Sequence, residues 1–399
     1  MRQLSVLVIH NRYQQAGGED AVVRAEVALL RQHGHRVVEY IRHNSEIAKF
    51  GLLRKASLVA STTWNHMTYR ELRRLIRTER PDVAHCHNLM PLISPSAYYA
   101  CKVEGVPVVQ TVHNFRLVCP AGTLFHDGAA CSDCNGDLRR AVVRKCYRDS
   151  RVQTAAVATM LAAHRAMGTF EKAVDAYSTP SMFCMERTVK GGVPADKIMV
   201  RPNFLVNDPG PRSGSDDYAV FVGRLCVEKG VRQLLQAWRR LRGIRLLIVG
   251  DGPLRGEAER SASSNVRFAG ARSPEETIAL IKAARFLVFP SIGYETFGMT
   301  VLEAAACGVA TVVARTGAIP ELVREGKTGL MFDPKDPDDL ADKAKWAWTH
   351  PIGMNVMGAE ARRRYLRNYS AAPGYEALMK LYGTVLGCGV ETSSRGAVA

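Results

Sequence analysis

The sequence predicts an α/β protein with parallel sheets, built as two doubly wound halves, and three observations carry that expectation. Short apolar runs alternate with helix-patterned segments along most of the chain, as buried parallel strands joined by crossover helices do. In the first half the runs fall at 5–11, 37–41, 82–87, 107–114, 176–179 and 197–202, and in the second at 219–222, 246–249, 266–269, 286–289 and 309–314. The two series are separated by Pro202-Asn203-Phe204 and by NDPGPRSGSDD at 207–217, whose Pro, Gly and Ser read as a linker. At 399 residues the chain also exceeds one ordinary core. The expected division is 1–205 with an insertion at 115–150, then 206–370, a final helix at 371–387, and a disordered tail at 388–399.

With 47% hydrophobic residues the chain can bury both cores. Its formal charge is +16, from 54 Lys and Arg against 38 Asp and Glu, which suits an anionic partner. The excess sits early. Residues 1–80 hold 14 basic and 7 acidic side chains, with Arg70, Arg73, Arg74, Arg77 and Arg80 at helical spacing in a segment expected to be a helix at 67–80. No RNP-like aromatic strand and no finger spacing accompanies this charge, so nucleic acid is not expected and an anionic membrane surface is. No apolar run approaches the roughly 20 residues that span a bilayer. The opening MRQLSVLVIHN precedes no small-residue cleavage site, so a cytoplasmic protein is expected.

In the first half, Gly17-Gly18 follows the first strand and lets backbone approach a ligand without a Cβ, while Glu19 and Asp20 suit a first helical turn. His113-Asn114 closes the fourth run, and 152–173 reads as one helix. Within the insertion, Cys119, Cys131, Cys134 and Cys146 are separated by 11, 2 and 11 residues. Four thiols in one short loop suggest a closed structural zinc site that would staple a segment with little core of its own. Free thiols or an iron–sulfur cluster would use the same residues.

The second half restarts with a strand, Gly223-Arg224-Leu225 and then Lys229-Gly230. Two cations five positions apart in a strand-to-helix loop suit a diphosphate, Arg224 as a forked donor and Lys229 as a point charge. Gly250, Gly252 and Gly256 loosely imitate a dinucleotide fingerprint. Pro253 interrupts it, and the strand expected to end in a ribose-binding acid ends in Arg272, so Gly250 and Gly252 are read as letting the loop pass close to a nucleotide.

The stretch RFLVFPSIGYETFGMTVLEAAACGVATVVARTGAIP at 285–320 organises this half. Glu295 falls in the loop after its strand and Glu303 within the following helix, two acceptor groups suited to hydroxyls. Between them Phe297, Gly298, Met299 and Thr300 place backbone N–H groups at a helix N-terminus, where an anion is favoured. Solvated surface carboxylates would read the same way.

Glu295 to Glu303 resembles the E-x7-E signature of the family 4 retaining glycosyltransferases of the GT-B fold. The G-R-L-x3-K-G run resembles their diphosphate clamp, and His113-Asn114 their cleft histidine. The resemblance implies two Rossmann-like domains facing a cleft, with the 371–387 helix crossing back onto the first. It implies transfer of a hexosyl unit from a nucleoside diphosphate sugar with retention and without a catalytic metal. In the family, Arg224, Lys229 and the helix N-terminus near Gly298 would hold the diphosphate, Gly17, Gly18 and Gly223 would face the donor, and Glu295 and His113 would contact the sugar while Glu303 contacts the ribose. A related cysteine set is familiar in polysaccharide-assembly members, which points to a polyprenyl-diphosphate-linked or oligosaccharide acceptor at the inner membrane face. A non-catalytic nucleotide-sugar-binding partner of such an assembly is the alternative.

Overall fold

The computed structural model describes residues 2–14, 17–134 and 137–387, the side chains of 52–56 excepted. The tail read as disordered, 388–399, lies outside the described residues. The first sheet collects β1 (Ser5–Arg12), β2 (Arg36–His43), β3 (Val83–Cys86) and β4 (Val108–Thr111). A two-stranded hairpin, β5 (Phe125–His126) and β6 (Ala129–Ala130), stands apart before β7 (Ala176–Thr179) and β8 (Ile198–Val200) complete that sheet. The second sheet contains β9 (Ala219–Val222), β10 (Leu246–Val249), β11 (Val266–Gly270), β12 (Phe286–Phe289), β13 (Thr311–Ala314) and β14 (Gly329–Phe332).

Both six-stranded sheets are parallel throughout, in the orders β2-β1-β3-β4-β7-β8 and β11-β10-β9-β12-β13-β14. Apolar side chains cover both faces of each, which is why the strand runs are continuously apolar rather than alternating. One face of the first sheet is sealed by the helix Ala371–Leu386, which buries Leu378, Leu381 and Tyr382 against Val6, Val8, Val83 and Val109. Each such side chain contributes about 1.5–3 kcal/mol. This last helix returns from the second half, and the outgoing linker meets it. A Cβ on Gly374 would lie 2.5 Å from the Phe204 ring, so glycine is what lets the two crossing segments touch.

Several elements differ from expectation. The helix expected at 152–173 is two, Arg151–Ala166 and Thr169–Lys172, because Gly168 turns the chain at φ 65°. The fourth strand stops at Thr111, which leaves His113 in a loop. The basic helix is His66–Glu79, with Arg80 outside it as a left-handed cap at φ 45°. Arg73 and Arg77 both bond Glu104, at 2.6 and 2.9 Å, so part of the charge on this face is already paired. No helix of the described residues is long and apolar enough to cross a membrane.

Candidate active site

In the second sheet β9 lies between β10 and β12, so the chain leaves β9 toward one side and comes back on the other. The loops after β9 and β12 meet at this reversal, where ligands of open α/β sheets bind. They bring Lys229 and Glu295 together: Lys229 Nζ is 2.6 Å from Glu295 Oε1, and the Ser291 hydroxyl donates to the same oxygen at 2.6 Å. Burial works against the Lys229 charge, yet Glu295 holds its pKa above the ordinary value. Arg224 is exposed and has no ion pair among the described residues. Gly317, at φ 56°, fixes the Glu295 backbone from behind. A Cβ there would lie 2.5 Å from Glu295 N, and the neighbouring Ala318 N–H donates to Glu295 O at 3.0 Å.

The helix Met299–Ala306 begins at Gly298 in the left-handed region, with no side chain capping it. Its first N–H groups, including those of Met299 and Thr300, are therefore available to an anion. The Phe297 side chain belongs to the core, 2% exposed and edge-to-face with Tyr369. The Glu303 carboxyl has no hydrogen-bond partner among the described residues, and burial pushes it up to about 7. The space freed by Gly250 and Gly252 is filled by the neighbouring loop: a Cβ would lie 2.0 Å from Gly223 O in one case and 2.5 Å from Leu225 O in the other. Packing of these two loops on each other fixes the Gly223-Arg224 turn.

The first half faces this arrangement. A Cβ on Gly17 would meet nothing within 4 Å, and one on Gly18 would meet only Met299 Cγ at 3.9 Å, so the glycine loop lies opposite the helix N-terminus. Thr296 Oγ1 donates to His113 O at 3.1 Å, and the Ser181 hydroxyl donates to Thr296 O at 2.7 Å. Glu321 accepts from the Met182 and Phe183 N–H groups, at 2.9 and 2.8 Å, and so caps a first-half helix, Met182–Lys190, from the second half. These contacts fasten the Glu295 loop to the opposite half. Burial pushes His113 down to about 3, against the pull of Glu26.

Sequence reasoning missed several groups here. Glu19, noted only as a first-turn acid, accepts from Asn114 Nδ2 at 3.1 Å and keeps Oε1 buried without a partner. Burial, then Asp20, pushes it up to about 7. It lines a pocket with His87, His113, Asn114 and Arg116. Glu26, His85, His87 and Arg201 form a wholly buried polar cluster behind His113. Two signals could have revealed it. Glu26 lies within the apolar stripe Val22, Val23, Val27, Leu30, and His85-x-His87 puts two imidazoles on one face of a strand and its extension.

Glu19 and Glu303 bind a proton more tightly in the folded chain than carboxylates ordinarily do. Their contribution to stability is complete below about pH 4.5 and is lost as pH rises through about 7. The thermal midpoint is therefore expected to fall between pH 5 and 8. Glu19→Gln and Glu303→Gln should each flatten that fall, by on the order of 1 kcal/mol at pH 8. An unchanged slope in both variants would show that other groups carry it.

The four insertion cysteines perturb one another: after burial, Cys119, Cys146 and Cys131 are what raise Cys134, to about 11. The Cys146 sulfur also sits 3.9 Å from His126 Nδ1. Among the described residues, however, the group whose ligand atoms lie within 4.8 Å of one another is Glu26, His85 and His87, and not the thiols.

Two family profiles match the chain in tandem, "Glycosyltransferase Family 4" over residues 16–206 and "Glycosyl transferases group 1" over 216–350. The O-antigen chain mannosyltransferase C of Escherichia coli is 32% identical over 177 residues, 43% of this chain and 47% of that protein. The chain thus spans about half the length of the curated relatives it matches. Sucrose-phosphate synthase of Thermosynechococcus elongatus superposes with a TM-score of 0.71 at 17% identity, covering 97% of this chain and 100% of that one. The Anabaena protein Alr3699/HepE, solved with UDP and glucose, superposes with a TM-score of 0.64 at 16% identity, over 95% and 99% of the two chains. Two parallel sheets with their strand ends turned to a shared cleft define a GT-B protein. The chain belongs to the family 4, group 1 glycosyltransferases.

Proposed function

We propose that the chain is a retaining hexosyltransferase that takes its sugar from a nucleoside diphosphate donor. The observation that carries this is the meeting of Lys229 and Glu295, from the loops after β9 and β12, beside the uncapped N-terminus of Met299–Ala306. Breaking the bond to the diphosphate develops negative charge on the leaving group, which fixed cations and N–H donors stabilise as it forms. Arg224, Lys229 and the helix N-terminus would take that role. Glu295 and His113 would hold the sugar, and the unpartnered Glu303 the ribose hydroxyls. The naming of an O-antigen mannosyltransferase and of a UDP and glucose complex among the similar proteins supports a sugar-nucleotide donor. The acceptor we propose is a polyprenyl-diphosphate-linked or oligosaccharide chain in cell-surface polysaccharide synthesis. The protein would meet it at the inner membrane face through Arg70 and Arg74 of His66–Glu79, which have no ion pair among the described residues.

Cys119, Cys131, Cys134 and Cys146 would hold a structural zinc, for which their sulfurs would have to draw closer together than they stand, and its chemistry would be confined to stapling the insertion. Phe125 of this insertion reaches the donor loop, since a Cβ on Gly293 would come within 3.5 Å of its ring. Zinc removal with a strong chelator is expected to lower the thermal midpoint and release about one metal per chain. Zinc-free protein with an unchanged midpoint would remove this part of the proposal.

The test of function is the thermal midpoint with UDP, GDP, ADP and NAD in turn, followed by turnover with the matching sugar nucleotide. A ligand at about 100 times its Kd adds about 2.7 kcal/mol. A shift with UDP or GDP supports the reading and identifies the base. A shift with NAD alone would overturn it, and binding without turnover would favour a non-catalytic partner.

A further inference from the structure

His113 is held by a chain of buried groups that decides which of its nitrogens carries a proton. His113 Nε2 lies 2.9 Å from His87 Nδ1, so one ring donates and the other accepts. The choice is made one residue further back. His87 Nε2 is 3.8 Å from Glu26 Oε2, which His85 Nδ1 also approaches to 3.4 Å, and neither His87 Nε2 nor Glu26 Oε2 has a hydrogen-bond partner among the described residues. The other Glu26 oxygen is bound by the Arg201 guanidinium. Burial opposes the Glu26 charge, yet Arg201 and His85 keep its carboxyl below the ordinary range, so it is ionised. A bare nitrogen facing a carboxylate sets lone pair against lone pair, whereas Nε2–H facing it is attractive. His87 therefore carries its proton on Nε2, its Nδ1 accepts, and His113 must donate through Nε2. No group of the described residues bonds His113 Nδ1.

We propose that Glu26 and His87 are positioning residues that fix the tautomer of His113, so that its bare Nδ1 is offered to a hydroxyl group of the bound substrate. The identity of that substrate rests on the glycosyltransferase reading; the tautomer does not. A metal in place of the relay is disfavoured, although the Glu26, His85 and His87 ligand atoms lie within 4.8 Å of one another. A cation there would sit beside the Arg201 guanidinium, and His85 is already engaged at both nitrogens, by Tyr382 OH at 2.9 Å and Thr111 Oγ1 at 2.7 Å. Arg201 leads into the outgoing linker and Tyr382 lies on the returning helix, so both chain crossings touch the group that orients the cleft histidine.

The test is a ¹⁵N-histidine correlation spectrum of the full chain near pH 7, with His113 assigned through His113→Asn. Protonated Nε2 and bare Nδ1 are expected. His87→Phe removes both nitrogens at similar volume and is expected to give mixed tautomers and a kcat lower by about 100-fold, with the donor KM changed by less than about 3-fold. His87→Asn returns an acceptor near the Nδ1 position and should recover most of the loss. A protonated Nδ1 in the wild-type spectrum overturns the proposal, and so does a His113 tautomer unchanged in folded His87→Phe. Should His87→Phe not fold, the wild-type spectrum alone decides. Failure of turnover with every sugar nucleotide would count against the glycosyltransferase reading while the spectrum still settles the tautomer.

Discussion

Lys229→Ala is expected to lower turnover by about 10²–10³-fold, the largest kinetic loss of any single substitution in this cleft. Lys229 is bound to Glu295 at 2.6 Å. On the proposed reading, a diphosphate entering between the two strand ends would compete for that cation, and the cost of parting it from Glu295 would be offset by the charge that builds on the leaving group. The interaction would then strengthen toward the transition state, and its loss should appear in kcat as well as in KM. Among the described residues the variant leaves Glu295 with the Ser291 hydroxyl as its remaining side-chain donor, so some stability is lost too. Arg224→Ala separates the two effects. Arg224 is exposed and has no ion pair among the described residues, and its removal should change stability by less than about 0.5 kcal/mol while abolishing most of the thermal shift given by UDP or GDP. Steady-state kinetics beside nucleotide-dependent melting reads both variants. Retention of full turnover in Lys229→Ala would remove the clamp from the mechanism.

How much of this was legible in the sequence depended on distance along the chain. The strands were readable because a parallel strand covered on both faces must be apolar throughout, and 219–222, 246–249 and 286–289 match β9, β10 and β12 residue for residue. Arg224, Lys229 and Glu295 were readable as candidates because each follows such a strand in a loop. Their pairing was not, because 66 residues separate Lys229 from Glu295 and only the strand order brings them together. The break at Gly168 was hidden within a segment of good helix formers, where a single glycine is tolerated as often as it turns the chain. The buried cluster was hidden for a further reason. Glu26, His85 and Arg201 look like surface residues one at a time, and nothing local says that 175 residues of separation close to a contact between Arg201 and Glu26.

That contact carries the largest stability effect expected of any substitution in the chain. Glu26 and Arg201 are buried, their side chains 2% and 1% exposed. Removing one partner leaves the other charge uncompensated away from water, at a cost of about 3–5 kcal/mol. Glu26→Ala and Arg201→Ala should each lower the unfolding free energy by that amount, read by urea titration and by faster amide exchange in β1 and β3. The double variant Glu26→Leu with Arg201→Met separates charge from volume. If burial of two opposite charges is the governing cost, this apolar pair should recover most or all of the loss. It would nonetheless leave His87 without a carboxylate, so a stable fold with a misoriented His113 is the expected result. Stability and His113 tautomer recovering together would show that packing alone orients the ring. Recovery of stability without recovery of the tautomer would show that the ion pair is retained for what it does to His113, because the sheet itself stands as well without it.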